Sequence, residues 1–469
     1  MGFLVSPGVQ VNEIDLTNVV PASATSIGAV AGAFAKGPMN QVTTIESEKQ
    51  LIEIFGNPNN SNFETWFTAA NFLQYGNNLK VVRAETGART AVATAPASIS
   101  TSATTASSPT DGDIALSASG GSDPSLLKVV LDGVTVDPTT YTLSADGLTL
   151  TLGSTPAGNK TITVQKGIRI TNDDNYDFNF SSGQADVGPW AAKFPGSIGN
   201  SIGVSICHGA DAFEQNSAST VASLTAADAA GAANGTITVA SGHGSNFQAG
   251  DIVYFQEEDG QQYEVISIST DTLTIRQLDN PNGGGLRSAI AAGTVVRRRW
   301  KFYDLFNAAP STSDYAKSIN LQSANDEMHV VVFDVLGEIT GNSINVAGNR
   351  SSAVIESYGF LSKHPTAKTV QGGANYYPTV INRTSQHIRW MDHSTTGSDW
   401  GNALTASGSD TSFVNTGLPI NSDFSTGSMG ADDFLPSVGE IKAAYDLMSD
   451  SETVDVNLIL SGQTPSDNT

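Results

Sequence analysis

"NFETWFTAANFLQYGNNLKVVRAE" (62–85) is the stretch on which the fold turns. Trp66, Ala69, Ala70 and Leu73 recur at i, i+3, i+4 and i+7, the spacing of one helical face. Ser61 with Glu64 has the form of a capping box, and Gly76 can stop the helix. "NLKVVRAE" (78–85) then reads as a strand. Upstream, "SEKQLIEIFG" (47–56) offers another box, Ser47 with Gln50, and places Leu51, Ile54 and Phe55 on one face before Gly56. Before that, "ATSIGAVAGAFAKGP" (24–38) is small and apolar, a buried strand ended by Gly37 and Pro38. The order β-α-α-β describes part of an α/β layer.

Further out lies "SPGVQVNEIDLTNVVPAS" (6–23), bracketed by Pro7 and Pro21. Val9 and Val11 alternate with Gln10 and Asn12, a strand's period of two, and no hairpin turn follows to supply a partner. Residues Val9, Gln10, Val11, Asn12, Glu13 and Ile14 read as an extended arm whose partner strand the neighbouring sequence does not supply. The alternative is a frayed or self-paired terminus.

Downstream the texture changes. "TAVATAPASISTSATTASSPTDG" (90–112) has the composition of a low-complexity linker. Alternating runs between Asp-Gly and Pro turns over 126–167 predict an antiparallel β domain, and three more over 250–278 predict another. From about 300 helix and strand return. "MHVVVFDVLG" (328–337) reads as an apolar strand and "SSAVIESYGFLS" (351–362) as a helix capped by Ser351 or Ser352. "PSVGEIKAAYDLMS" (436–449) reads as a helix with the box Ser437/Glu440, and "TVDVNLILSG" (453–462) as a buried strand.

The predicted architecture is a multi-domain α+β protein: a discontinuous α/β domain, built from N- and C-terminal segments, with inserted antiparallel β domains. Its expected parts are an extended arm (1–22), a first α/β segment (23–88), an inserted surface β domain with its Ser/Thr/Ala-rich linker (89–170), a second β-rich domain (171–300) and a second α/β segment (301–469). A terminal buried strand normally continues into a crossover. The C-terminal part of the α/β domain is therefore expected to be missing after "QTPSDNT" (463–469).

With 46 acidic against 23 basic residues the net charge is −23, which disfavours nucleic acid as a partner. The short cluster "RRRWK" (297–301) does not reverse this, and acidic neighbouring subunits are its expected partners. One cysteine, Cys207, rules out an internal disulfide framework and a four-cysteine zinc site. The sequence shows neither a signal peptide's pattern nor a run near the ~20 apolar residues of a membrane helix. The expectation is a soluble protein of a reducing cytoplasm, without membrane anchoring.

Motifs for chemistry are sparse. "GNSIG" (199–203) fits the nucleophile-elbow expression around Ser201, but a strand and not a helix follows it, so a structural turn is the preferred reading. "NDEMH" (325–329) groups Asp326, Glu327 and His329, which a metal could use and which a solvated or interfacial edge explains better. "NDDNYD" (172–177) lacks the central Gly and terminal Glu of a calcium loop. No P-loop or dinucleotide fingerprint occurs. The sequence predicts no enzyme, no cofactor and no metal.

Several stretches together resemble the tail sheath protein of contractile-tailed, myovirus-type bacteriophages. The start (6–38), "FG", "WFTAANFLQYGNNLKVVRA", "WAAKFPGSIGNSIGVSI" (190–206), "STSDYA", "DEMHVVVFDVLGEITG" and "NYYPTVINRTSQHIRW" follow that family's order. The most specific is similar to its "A-K-[YF]-P-G-x-x-G-N-x-[LI]" element, in which Pro195, Gly196, Gly199 and Asn200 are the expected structural turn. The resemblance implies subunits that polymerise as stacked hexameric rings around a tail tube, tethered by terminal arms, here Val9 to Ile14, that add a strand to a neighbouring subunit's sheet. They contract to drive the tube through the host envelope for genome delivery, without nucleotide hydrolysis. Implied partners are further copies, the tail tube protein, the baseplate and the tail terminator. The implied location is the virion, with assembly in the bacterial host cytoplasm. A related contractile injection system, of bacteriocin or secretion type, would use the same chemistry. The Ser/Thr-rich linker and inserted β domains leave a phage adhesin or fibre module as the alternative from another class.

Overall fold

The structure is a computed structural model that describes residues 26–101, 104–105, 112–156, 160–224, 234–255, 260–280, 285–288, 290–394, 400, 413, 417–452 and 454–465. The chain forms two compact units.

The smaller unit takes its described residues from 26–34, 40–84 and 435–465. Its sheet runs in the order Thr43–Ile45, Leu79–Arg83, Gly28–Gly32, Leu458–Leu460. Gly28–Gly32 is parallel to both its neighbours, and Thr43–Ile45 closes the other side antiparallel. Alternation along the strands sends side chains to two cores. Val30 and Val81 pack with Leu51, Phe55, Trp66 and Ala69 of the helices Glu48–Phe55 and Phe63–Leu73. Ala29, Ala31 and Val82 pack with Ala444 and Met448, on and just after the helix Val438–Asp446. Both faces are covered, as a parallel sheet requires. Gly32 permits the close approach of the second helix, since a Cβ there would lie 2.7 Å from Thr65 Cγ2.

The local signals are partly realised. Ser437 and Glu440 form a full capping box, and Ser47 accepts from the Gln50 amide. The expected box at Ser61 and Glu64 does not form. Asn62 occupies the N-cap, and its Oδ1 accepts from the Asn59 amide at 2.8 Å, so the preceding turn already uses it. The strand expected to be buried near the end covers only Leu458–Leu460 and is an exposed sheet edge.

The larger unit spans residues 35–39 and 85–434. Its central antiparallel sheet has the order Val354–Ser362, Glu327–Asp334, Ile202–Cys207, Ile420–Asp423. Trp190, Val204, Val330, Val332, Tyr377 and Ile381 share its core. The expected second α/β segment, 301–469, is therefore divided: Glu327–Asp334 pairs with Ile202–Cys207, and only the stretch from Leu435 joins the smaller unit. The helix expected over 351–362 is instead the strand Val354–Ser362. Its β-branched and aromatic residues suit a strand, and Glu327–Asp334 supplies its ladder.

Two β insertions carry cores of their own. Around Leu127, Val129, Tyr141, Leu150, Ile162 and Val164, two small sheets collect strands from 104–166. The supposed linker is in part structural: Ala91 and Val92 are fully buried, and Ser98 and Ser100 bridge to Gln165 and Leu116. The second insertion is a closed six-stranded barrel in the order Glu214–Leu224, Gly235–Val239, Thr272–Gln277, Gln262–Ser269, Ile252–Tyr254, Val295–Arg299. Val253, Tyr263, Val265, Leu273, Ile275 and Val296 fill it. No helix among the described residues is long and apolar enough to cross a membrane.

Candidate functional site

The motif at 190–206 is built as strand, turn, strand. Trp190–Ala192 pairs antiparallel with Ile388–Trp390, the turn occupies Ser197–Ser201, and Ile202–Cys207 continues as a central strand. Gly196 has φ +146°, and a Cβ there would lie 2.6 Å from the Ala35 carbonyl, so only glycine fits. A Cβ on Gly199 would approach Ala91 and Ala192 to 2.8 and 2.9 Å. Asn200 pairs with the backbone of Gly430 in both senses, donating from Nδ2 at 2.9 Å and accepting at Oδ1 at 2.9 Å. Ser197 donates its amide to Asp432 at 2.8 Å, and its hydroxyl bonds the same carboxylate. Pro195 is buried at the start of the turn. Pro195, Gly196, Gly199 and Asn200 thus come together as one turn, tied to residues some 230 positions away.

Ser201 is fully buried, and its hydroxyl donates to Asp334 Oδ1 at 2.5 Å. Ser201 Oγ also accepts from the amides of Leu336 and Glu338 at 3.1 and 3.3 Å. Asp334 in turn accepts from the amides of Gly337, Ile339 and Thr340 at 2.8, 2.9 and 2.6 Å. Burial alone would raise this carboxyl, but the Ser201 hydroxyl and the loop amides outweigh it and hold it below its ordinary value. Among the described residues no histidine hydrogen-bonds this hydroxyl, whose partners are the Asp334 carboxylate and the loop amides. The arrangement fixes the loop 335–340.

The other motifs resolve into structure as well. Asp326 and His329 are fully buried, which corrects the expectation of a solvated or interfacial edge. Asp326 accepts from Ser313 and Ser362, while His329 is held between the Ala308 carbonyl and the Phe360 amide and stacks on Phe306 at 4.1 Å. Among the described residues no group of three His, Cys, Asp or Glu could hold a metal. Asn172 caps the helix Asp173–Asn179, so "NDDNYD" is helix and not a calcium loop. In the basic run, Arg298 faces Asp251 at 3.7 Å and Arg299 bonds Glu214 at 2.8 Å. For these two arginines the acids are supplied by the same chain and not by a neighbouring subunit. Cys207 is buried, and its thiol is pushed up to about 12 by that burial.

The proposed arm, Val9 to Ile14, lies outside the described residues. A sheet edge is present in the smaller unit: among the described residues Leu458–Leu460 pairs on one side only, with Leu458 45% and Ile459 70% exposed. Sequence reasoning missed Arg89, which is buried and donates to the carbonyls of Ser125, Leu127 and Met429. It also missed Lys193, whose ammonium donates to the Ser385 carbonyl at 2.7 Å. Their partners lie far along the chain, so no local spacing could reveal them.

Comparison with known proteins bears on the smaller unit. Residues 25–84 match the family described as tail sheath protein Gp18 domain III N-terminal region. The tail sheath protein of Vibrio phage KVP40 is 42% identical over 80 residues, and that of Enterobacteria phage T4 is 40% identical over 81. Each match takes in 17% of this chain and spans 12% of the relative's length. Through this segment, which supplies three strands and two helices of the smaller unit, the chain is similar to the tail sheath proteins of bacteriophages.

Proposed function

We propose that the chain is a structural subunit of a contractile bacteriophage tail sheath. It polymerises as stacked hexameric rings around the tail tube and contracts to drive that tube through the host envelope. The tube, the baseplate and the tail terminator are its partners, and the virion is its place of work. The observation that carries this reading is the match over residues 25–84, the segment that forms most of the α/β unit. The edge at Leu458–Leu460, open among the described residues, supports it further, because a free row of amides and carbonyls accepts an added strand. In this reading Val9 to Ile14 of a neighbouring copy supply such a strand. Contraction is then a change between two packings of tethered subunits.

The test is deletion of residues 1–20. The shortened chain should fold as a monomer with unchanged circular dichroism and fail to enter sheath-like polymers under electron microscopy. Normal polymerisation of the deletion variant would overturn the role of the arm.

A further inference from the structure

We propose that Lys193 anchors a carboxylate-accepting pocket on the larger unit, and that its occupant is an acidic side chain of a second copy of this chain. The pocket, of about 40 Å³, is lined in part by Lys36, Lys193, Phe194, Ile198, Ile339 and His387. Lys193 is only 8% exposed, yet among the described residues its ammonium hydrogen-bonds one neutral acceptor, the Ser385 carbonyl. An ammonium carries three donors, and burying one without a counter-ion is costly. Burial and the Arg389 charge lower its proton affinity, against Asp173 and Glu356.

Both of those acids have other partners. Glu356 accepts from the Ser385 hydroxyl at 2.7 Å, the Gln386 amide at 2.8 Å and the Tyr358 hydroxyl at 2.9 Å. Asp173 is paired with Arg389. Lys36 adds a second ammonium to the lining, while Phe194, Ile198 and Ile339 make the walls apolar. A charge entering such walls is attracted more strongly than in water. The chain carries twice as many acids as bases, 46 against 23, so another copy presents carboxylates readily. The choice of occupant rests on the assembly reading above, whereas the pocket's chemistry does not.

The experiment uses the full chain with ring-labelled histidine and follows the His387 signal by NMR while glutarate is added, with sodium chloride as the ionic-strength control. A saturable shift with glutarate alone is expected. Lys193→Met, which keeps the aliphatic stem, should weaken it by about tenfold, and Lys193→Arg should retain it. Unchanged His243 and His329 signals establish that the variants are folded. No saturable shift, an equal shift with chloride, or an unaltered response in Lys193→Met would overturn the pocket. Sedimentation velocity tests the occupant. Weaker self-association of Lys193→Met supports a second copy; unchanged self-association, with glutarate binding lost, overturns it. A wild-type chain that binds glutarate but never self-associates counts against the assembly reading and leaves the pocket standing.

Discussion

Replacing Asp334 with alanine should unfold the larger unit early, and the size of the effect follows from what the carboxylate holds. It accepts from the Ser201 hydroxyl, from the amides of Gly337, Ile339 and Thr340, and from the Thr340 hydroxyl. Its residue is fully buried, so water cannot replace these bonds in place. Charge-assisted hydrogen bonds contribute about 1.5–3 kcal/mol each, and stranded donors add a penalty. Because the loop at Leu336 is half exposed and can rehydrate on relaxing, a loss of about 3–5 kcal/mol is expected. Ser201→Ala should cost about 1–3 kcal/mol, and the two changes together less than their sum by about 1–2 kcal/mol, since they share a bond. Urea unfolding followed by tryptophan fluorescence reads this directly, because Trp190 and Trp390 pack in the cluster to which Val330 and Val332 of the same strand belong. A shift below about 0.5 kcal/mol for Asp334→Ala, or strict additivity, would refute the reasoning. An esterase activity abolished by Ser201→Ala would return that serine to chemistry.

Three further outcomes are expected. His329 is neutral by construction, accepting the Phe360 amide at Nδ1 and donating to Ala308 from Nε2, and burial pushes its pKa down to about 4. Its contribution is therefore complete above the unfolded value of about 6.5 and lost as pH falls towards 4, at most about 3 kcal/mol. His329→Phe should flatten the stability–pH slope across that window by about one proton. Gly32→Val should destabilise the smaller unit by about 1–3 kcal/mol in thermal melts, because its Cβ would lie 2.7 Å from Thr65. Arg89→Met leaves the carbonyls of Ser125, Leu127 and Met429 without that donor and should cost about 2–4 kcal/mol. It should be seen first as faster hydrogen exchange along Leu127–Leu131.

The sequence was most legible where structure is local. The helices at 48–55 and 63–73 and their buried faces follow from spacing alone, as does the hairpin at Asp132–Gly133, whose residues both have positive φ. It was least legible where a distant strand decides. Val354–Ser362 carries a residue order that also suits a short helix, and only its ladder with Glu327–Asp334 selects the strand. Asp326 and His329 look like surface polar groups in the sequence because their partners, Ser313, Ser362 and Phe360, are supplied by other segments. At the candidate site, Gly196 and Gly199 could be read as turn residues from type. The Asn200–Gly430 pair and the Lys193 pocket exist only once the chain has folded back on itself.

The barrel formed by strands between Glu214 and Arg299 has neither a first nor a last strand. An unpaired strand edge in any sheet is a template on which another strand can pair wrongly. Closing the sheet on itself removes that edge, so this insertion can vary in loop length and surface without creating a rival partner for an incoming strand. The other sheets keep their ends: among the described residues, Leu458–Leu460 in the smaller unit and Ile420–Asp423 in the larger one each pair on one side.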